Sequence, residues 1–188
     1  MSDILLNQTR VLTPDEVSRM TEQMSGNHSI LFLAQLYTGM RYEEFKRFSV
    51  HPEWYDKDRK LIRLTREAIR KQKVVQKERS VMLSNPGNFV ITHMLKVRKG
   101  LYVPQRASWN ESLKGYAVKA GINPAGITGK MLRKTWESWL FTTRPQMAQF
   151  ILSSQGHTSG ICIGHYLGIG FTSAEKVEIE KHIIGWGE

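Results

Sequence analysis

Residues 153–168 read SSQGHTSGICIGHYLG and place His157 nine positions before Tyr166. A free tyrosine is a weak nucleophile, because a phenol ionises only at about pH 10. It becomes an effective nucleophile where cations activate both the phenol and the group that it attacks. This stretch therefore directs attention to cations elsewhere in the chain.

The cations occur in short, distinctive frames. Arg41 lies in TGMRYEE, directly after an apolar segment, while Lys130 and Arg133 lie in ITGKMLRKT. Between these frames, residues 70–79 read RKQKVVQKER, the densest basic run of the chain. A lone R-x-x-E or K-x-x-R spacing is common on helix surfaces, so the order of the frames carries more information than any one of them.

Together the frames resemble the boxes of the tyrosine recombinases, the phage-integrase and Xer family. TGMRYEE is similar to the family's Thr-Gly-x-Arg-x-x-Glu box, ITGKMLRKT to its Ile-Thr-Pro-His-x-Leu-Arg-His-Thr box, and QGH to its Leu-Gly-His box. Lys130 replaces the first histidine of the second box. With this change the chain resembles most closely the archaeal viral (fusellovirus-type) integrases, over about residues 28–170.

The resemblance implies a role for each matched residue. Tyr166 is expected to be the nucleophile that forms a 3′-phosphotyrosine. The expected ligands of the scissile phosphate, which would stabilise its added negative charge in the transition state, are Arg41, Lys130, Arg133 and His157. Since an exposed ammonium cannot act as a base at pH 7, Lys130 is interpreted as a charge stabiliser. No cofactor and no metal ion are implied, and ATP is not required.

A lysine on a β-hairpin is expected to give a proton to the leaving oxygen. The usual family position falls at Val74, so a one-residue slip makes Lys73 the first choice, with Lys71 next and Lys77 third. A solvated basic loop that touches only the DNA backbone remains the alternative for each of them.

Supporting contacts are also predicted. Glu44, one turn after Arg41, is expected to hold the Arg41 guanidinium in place. Further DNA contacts are predicted for Lys71, Lys77, Arg79 and Lys134.

The bulk composition agrees with a nucleic-acid partner. The 188 residues carry a formal net charge of +10 and a pI near 9.8, which favours a polyanion such as double-stranded DNA. The single cysteine, Cys162, excludes an internal disulfide and a cysteine-rich zinc site. The sequence has neither a long apolar run nor a secretory signal, which predicts a location in the cytoplasm of the cell or viral host.

Apolar periodicity and turn residues predict a mostly helical α+β domain. Thr13 should cap a first helix, residues 61–64 and 80–83 should pair as a hairpin, and a further helix is expected over 158–167. The predicted organisation is a flexible lead-in at 1–12, a catalytic domain at 13–171, and a C-terminal helix or tail at 172–188. By resemblance, that tail either docks on a neighbouring subunit or packs on its own domain.

Several functions stay open at this stage. The resemblance implies a site-specific recombinase or integrase acting on an attachment site, as a homotetramer on DNA and a monomer in free solution. The alternatives are a type IB topoisomerase-like nicking-closing enzyme, a catalytically silent DNA-binding module of the same fold, and a basic helical RNA-binding protein. The family also carries an N-terminal DNA-binding domain, whereas here about a dozen residues precede the predicted catalytic fold.

Overall fold

In the computed structural model, which describes residues 4–6, 8–66, 78–157 and 169–188, helices predominate. The helices are α1 (Pro14–Glu22), α2 (Gly26–Thr38), α3 (Tyr42–Phe48), α4 (Asn85–Val97), α5 (Arg106–Lys119), α6 (Gly129–Thr143), α7 (Ala148–Gln155) and α8 (Ser173–Ile183). The strands are β1 (Leu5–Leu6), β2 (Thr9–Arg10), β3 (Tyr55–Asp56), β4 (Leu61–Leu64) and β5 (Arg79–Met82). The predicted mostly helical α+β class is confirmed. The helix expected over 158–167 lies outside the described residues.

Local sequence sets the helix boundaries that matter for the site. Thr13 caps α1 through its hydroxyl, which accepts from the Glu16 amide, while the Glu16 carboxylate accepts from the Thr13 amide, as predicted. Gly39 ends α2 in the left-handed conformation, with φ of 57°. The chain turns there and begins α3 directly after Arg41.

The core is built around α6, which packs against α2, α5, α7 and α8. Trp136 and Trp139 on this helix are fully buried. The interpretation of all five tryptophans as packing residues is confirmed, since Trp54, Trp109 and Trp186 are buried as well. Among the described residues, the helices are too short or too polar to cross a membrane.

The small sheet is antiparallel in the order β3-β4-β5. Ile62 faces Val81 across β4 and β5, and both side chains are fully buried. The predicted hairpin is present, with β5 beginning one residue earlier than expected, at Arg79. The third strand, Tyr55–Asp56, was not predicted, because two residues carry no readable alternation. Lys71, Lys73 and Lys77, on the hairpin connection, lie outside the described residues.

The N-terminal segment differs from the flexible lead-in that was expected. β1 pairs with β2, and Val11 and Leu12 are fully buried. The Leu12 amide donates to the Thr135 hydroxyl at 2.9 Å, which ties the segment to α6. The described part of this segment therefore belongs to the core, because two consecutive apolar side chains are removed from water there.

The C-terminal segment packs on its own domain in this chain. A capping box at Thr172 starts α8, which contacts α6 and α4. Ile179 and Ile183 are buried against them, and the Tyr37 hydroxyl lies 2.7 Å from His182 Nδ1. Exchange of this segment with a neighbouring subunit stays a prediction.

Candidate functional site

Arg41 lies at the junction of α2 and α3, where the Gly39 turn places it. Its amide donates to Glu44 Oε2 at 3.0 Å, and its Nη1 donates to Glu44 Oε1 at 2.9 Å. One carboxylate thus caps the helix and also holds the guanidinium. The predicted contact between Glu44 and Arg41 is present.

A second guanidinium reaches the same carboxylate from the sheet. Arg79, the first residue of β5, donates to both Glu44 oxygens, at 2.7 and 3.2 Å, and its Nε donates to the Ser154 carbonyl at 3.0 Å. We call Glu44, Arg41 and Arg79 the Glu44 cluster. Burial alone would raise the pKa of Glu44, but the hydrogen bond and charge of Arg79, with the charge of Arg41, outweigh burial and lower it to about 2.

Arg79 differs from the surface DNA contact that the basic run suggested. Its side chain is 5% exposed, and its guanidinium is engaged by Glu44 and by the end of α7. The bidentate pair explains this burial, since a guanidinium leaves water only when its donors are satisfied. Within the chain, Arg79 joins β5 to α3 and α7.

The second box forms its own cluster around Glu137. Arg133 Nη2 lies 2.9 Å from Glu137 Oε1, one turn along α6, and His157 Nε2 lies 2.7 Å from the same oxygen. Arg133 Nη2 is also 3.1 Å from His157 Nε2. We call Glu137, Arg133 and His157 the Glu137 cluster.

The geometry of the Glu137 cluster assigns a proton to His157. A guanidinium nitrogen can only donate, and a carboxylate oxygen can only accept. An Nε2 without a proton would set its lone pair against the carboxylate at 2.7 Å, which is unfavourable. The 2.7 Å contact therefore favours the form in which Nε2 carries hydrogen and donates to Glu137, to whose same oxygen Arg133 donates.

Backbone carbonyls at two turns hold the two clusters side by side. Arg133 donates to the carbonyls of Gly39 at 2.9 Å and Gln155 at 2.6 Å. Arg41 Nη2 lies 3.5 Å from the Gly156 carbonyl. Burial lowers the pKa of Arg133, as do the neighbouring Arg41 and Arg79, whereas Glu137 opposes that shift. Three guanidiniums thus meet in a small volume.

Both turns require glycine. Gly39 and Gly156 have φ of 57° and 67°, a region that side chains disfavour. A Cβ at Gly39 would lie 2.5 Å from the Gln155 side chain, and one at Gly156 would lie 2.8 Å from Arg79. Their small size lets the backbone carbonyls approach the guanidiniums.

Exposure separates the cations from the groups that hold them. The side chains of Arg41, His157 and Arg133 are 28%, 19% and 11% exposed. Those of Glu44 and Glu137 are 4% and 1% exposed. The carboxylates therefore lie beneath a surface formed by positive and hydrogen-bond-donating groups, an arrangement suited to an anion such as a phosphate.

The two lysines of α6 have different positions. Lys130 is exposed on the first turn of the helix, one turn before Arg133. Lys134, a predicted DNA contact, donates to the Leu6 carbonyl at 2.7 Å and is half-buried, and this burial lowers its pKa. It joins α6 to the N-terminal hairpin, so its ammonium already has a partner within the chain.

Some predicted residues lie outside the described part of the chain, and one important residue was not predicted. Tyr166, like the hairpin lysines, lies outside the described residues. Glu137 was missed, although its spacing of four from Arg133 on the predicted helix was a usable signal. In the described part of the chain, no group of three or more His, Cys, Asp or Glu side chains is arranged to bind a metal ion.

Comparison by sequence identifies no relative. No protein-family model matches the chain. No curated protein sequence matches it either.

Comparison by structure identifies the fold. The chain is similar to XerA recombinase, with a TM-score of 0.65 and 20% identity over 91% of this chain and 64% of that one. It is also similar to XerH site-specific recombinase bound to difH substrate in a pre-cleavage complex, with a TM-score of 0.64 and 20% identity over 86% of this chain and 50% of that one. For a post-cleavage complex of XerH with palindromic difH substrate, the TM-score is 0.64 and the identity is 20%, over 93% of this chain and 52% of that one.

The chain thus spans between half and two-thirds of the length of these recombinases. At this level of identity the likeness concerns the backbone arrangement, and the predicted fold class is confirmed. The protein has the tyrosine recombinase fold, with Arg41, Arg133 and His157 gathered at one place on it.

Proposed function

We propose that this chain is the catalytic domain of a site-specific DNA recombinase that cleaves and rejoins strands through a 3′-phosphotyrosine. The observation that carries the proposal is the convergence of Arg41, Arg133 and His157 from three separate segments. Buried Glu44 and Glu137 hold these groups from below, and their outer parts are exposed. With both carboxylates ionised, the two clusters still retain a positive charge that a phosphate can neutralise.

The reaction follows from this charge arrangement. The Tyr166 oxygen attacks phosphorus and gives up its phenol proton to water, the bond to the 5′ oxygen breaks, and the cations stabilise the five-coordinate transition state. Lys73 gives a proton to the leaving 5′ oxygen, and Lys130 adds positive charge beside the phosphate. Because the phosphotyrosine retains the bond energy, a 5′-hydroxyl of another strand can reverse the step without ATP.

Other observations support a DNA substrate and a recombination outcome. The net charge of +10 favours a polyanion, and the fold is shared with XerH, which was captured with difH substrate before and after cleavage. Lys130 in the second box supports the resemblance to archaeal viral integrases. The proposed assembly is a homotetramer on a double-stranded attachment site.

The test is covalent trapping on suicide DNA. Protein is incubated with nicked duplexes carrying candidate attachment sites, without added metal, and the products are separated in SDS. A shifted protein–DNA band is expected from the wild-type chain and none from Tyr166→Phe. Tyr102→Phe is the matched control, since Tyr102 is a 72% exposed tyrosine outside the sequence frames that carry the resemblance, and it should cleave like wild type.

The outcomes separate the competing functions. A band that survives Tyr166→Phe would refute the assigned nucleophile. Binding without any band would indicate a catalytically silent DNA-binding module. Relaxation of supercoiled DNA without a specific site would indicate a topoisomerase-like enzyme.

A further inference from the structure

Glu137 lies in the functional site, but no motif of the sequence assigns it a role. We propose that Glu137 is a positioning residue that fixes the orientation and the proton of His157 and aligns Arg133 beside it. The inference rests on the proposed function for its catalytic consequence. The contact itself rests only on the geometry of the described residues.

Glu137 acts through its neighbours because it is not accessible to a substrate. Its side chain is 1% exposed, below the outer surfaces of Arg133 and His157. One carboxylate oxygen receives both partners, at 2.9 and 2.7 Å. A buried acceptor shared by a guanidinium and an imidazole fixes the relative position of the two groups that face the phosphate.

The same oxygen decides which ring nitrogen of His157 keeps its proton. With Nε2–H directed at Glu137, a second ring proton is gained or lost at Nδ1, and only the ring that carries it can donate from Nδ1. A carboxylate behind an imidazole commonly fixes the tautomer in this way. With Lys130 in the second box, His157 is the imidazole that the described residues bring into this site, so its tautomer matters for proton transfer.

Other charges around His157 cannot perform this role. Arg133 on α6, Arg41 before α3 and Arg79 on β5 are guanidiniums, which only donate. Glu44 is the other carboxylate of the site, and both of its oxygens are engaged by Arg41 and Arg79. The acceptor for His157 Nε2–H is therefore the Glu137 carboxylate, 2.7 Å away.

The first test needs neither DNA nor activity. Nitrogen-15 spectra of the histidine ring, recorded on the whole chain at a pH where the ring is neutral, show which nitrogen carries hydrogen. We expect wild-type His157 to be protonated at Nε2, and Glu137→Gln to give a mixture of tautomers or the Nδ1–H form. A wild-type ring protonated at Nδ1 would overturn the proposal without any variant.

The second test measures catalysis and binding separately. At saturating suicide DNA, Glu137→Gln should slow covalent-complex formation by about tenfold or more, the usual scale for removing such a partner. The DNA dissociation constant should change less than about threefold, because Glu137 does not touch DNA. Glu137→Asp, which keeps the charge, should recover part of the rate.

A matched control separates positioning from general destabilisation. Glu180→Gln removes a carboxylate that pairs with Arg144 at 2.6 Å, away from the site, and should leave the tautomer and the rate unchanged. An equal loss of binding and rate in Glu137→Gln would refute positioning and favour a structural role. If the wild-type chain forms no covalent product on any DNA, the proposed function fails, and the ring spectra still decide the contact.

Discussion

The Glu44 and Glu137 clusters use the same device with different partners. In each, a buried glutamate holds cationic or donating side chains from separate parts of the fold. Glu44 holds two guanidiniums, which can only donate hydrogen bonds. Glu137 holds one guanidinium and one imidazole, and an imidazole can both donate and accept hydrogen bonds.

This difference divides the work of the site. The Glu44 cluster joins α3, β5 and α7 through a carboxylate that stays ionised above about pH 5, so it acts as a fixed support near neutral pH. Under the proposed function, the imidazole of the Glu137 cluster is the group that exchanges a proton with the substrate. A site that must keep its shape while moving protons benefits from separating the two tasks.

The largest expected loss of stability comes from breaking the Glu44 cluster. Glu44→Ala leaves two guanidiniums without their carboxylate, and removing one partner of a buried pair costs about 3–5 kcal/mol of unfolding free energy. Urea unfolding measures it. Glu111→Ala, which removes an exposed pair with Lys114, should cost less than about 1 kcal/mol. A loss as small as that of the control would show that Glu44 does not stabilise the junction of α3, β5 and α7.

The pH dependence of stability tests the same contribution of Glu44. The pKa of Glu44 is lowered from an ordinary 4.5 to about 2 in the folded chain, so the unfolded chain binds a proton first as the pH falls. The stabilisation is complete above about pH 5 and is lost as the pH falls through about 2. We expect the wild type to lose about 3 kcal/mol more than Glu44→Gln across this window.

Urea unfolding of both proteins at several pH values measures that loss. Parallel losses in the two proteins would assign the acid sensitivity to other carboxylates.

Each cluster also depends on one glycine turn. Gly39→Ala places a side chain at positive φ against Gln155 and disturbs the carbonyl that receives Arg133, which should cost about 1–3 kcal/mol. Gly115→Ala is the matched control, because Gly115 lies within α5 with open space around it and should stabilise by about 0.5–1 kcal/mol. Thermal unfolding distinguishes the two signs. Equal effects would show that the Gly39 turn is not required.

The smallest expected effect lies outside both clusters. Glu180→Gln breaks the half-exposed pair between Glu180 and Arg144 on the C-terminal helix. Solvent screens this pair, so the change should cost between zero and about 1 kcal/mol. Urea unfolding of Glu180→Gln and of Glu44→Ala, measured side by side, then shows how much more unfolding free energy is lost with a buried ion pair than with a half-exposed one. A cost comparable to that of Glu44→Ala would show that burial does not make the Glu44 pairs more important for stability than this half-exposed pair.

Much of the structure around Arg41 could be predicted because it depends on residues close together in the chain. The capping box at Thr13, the stop at Gly39 and the start of α3 after Arg41 each depend on residues within one turn. The spacing of Glu44 from Arg41 likewise predicts their contact. Such features are set by backbone geometry and short-range hydrogen bonds, which short sequence windows encode.

Two of the missed features have partners distant in the chain. Arg79 was expected at the surface because it ends a basic run, yet it crosses to Glu44, 35 positions away. The N-terminal residues were expected to be loose, yet Val11 and Leu12 enter the core against α6. Neither partner is visible in a local pattern, since burial depends on what the fold places opposite.

By itself, the sequence determined the helical α+β class, the order of the cationic frames and the helix ends that present Arg41 and Arg133. Only the tertiary structure decided that Arg79 lies inside, that Lys134 is tied to the N-terminal hairpin, and that Glu137 holds His157. The physical reason is the range of the forces involved. Helix and turn formation depend on neighbours along the chain, whereas a buried charge is stable only where the fold brings its partner within hydrogen-bond distance.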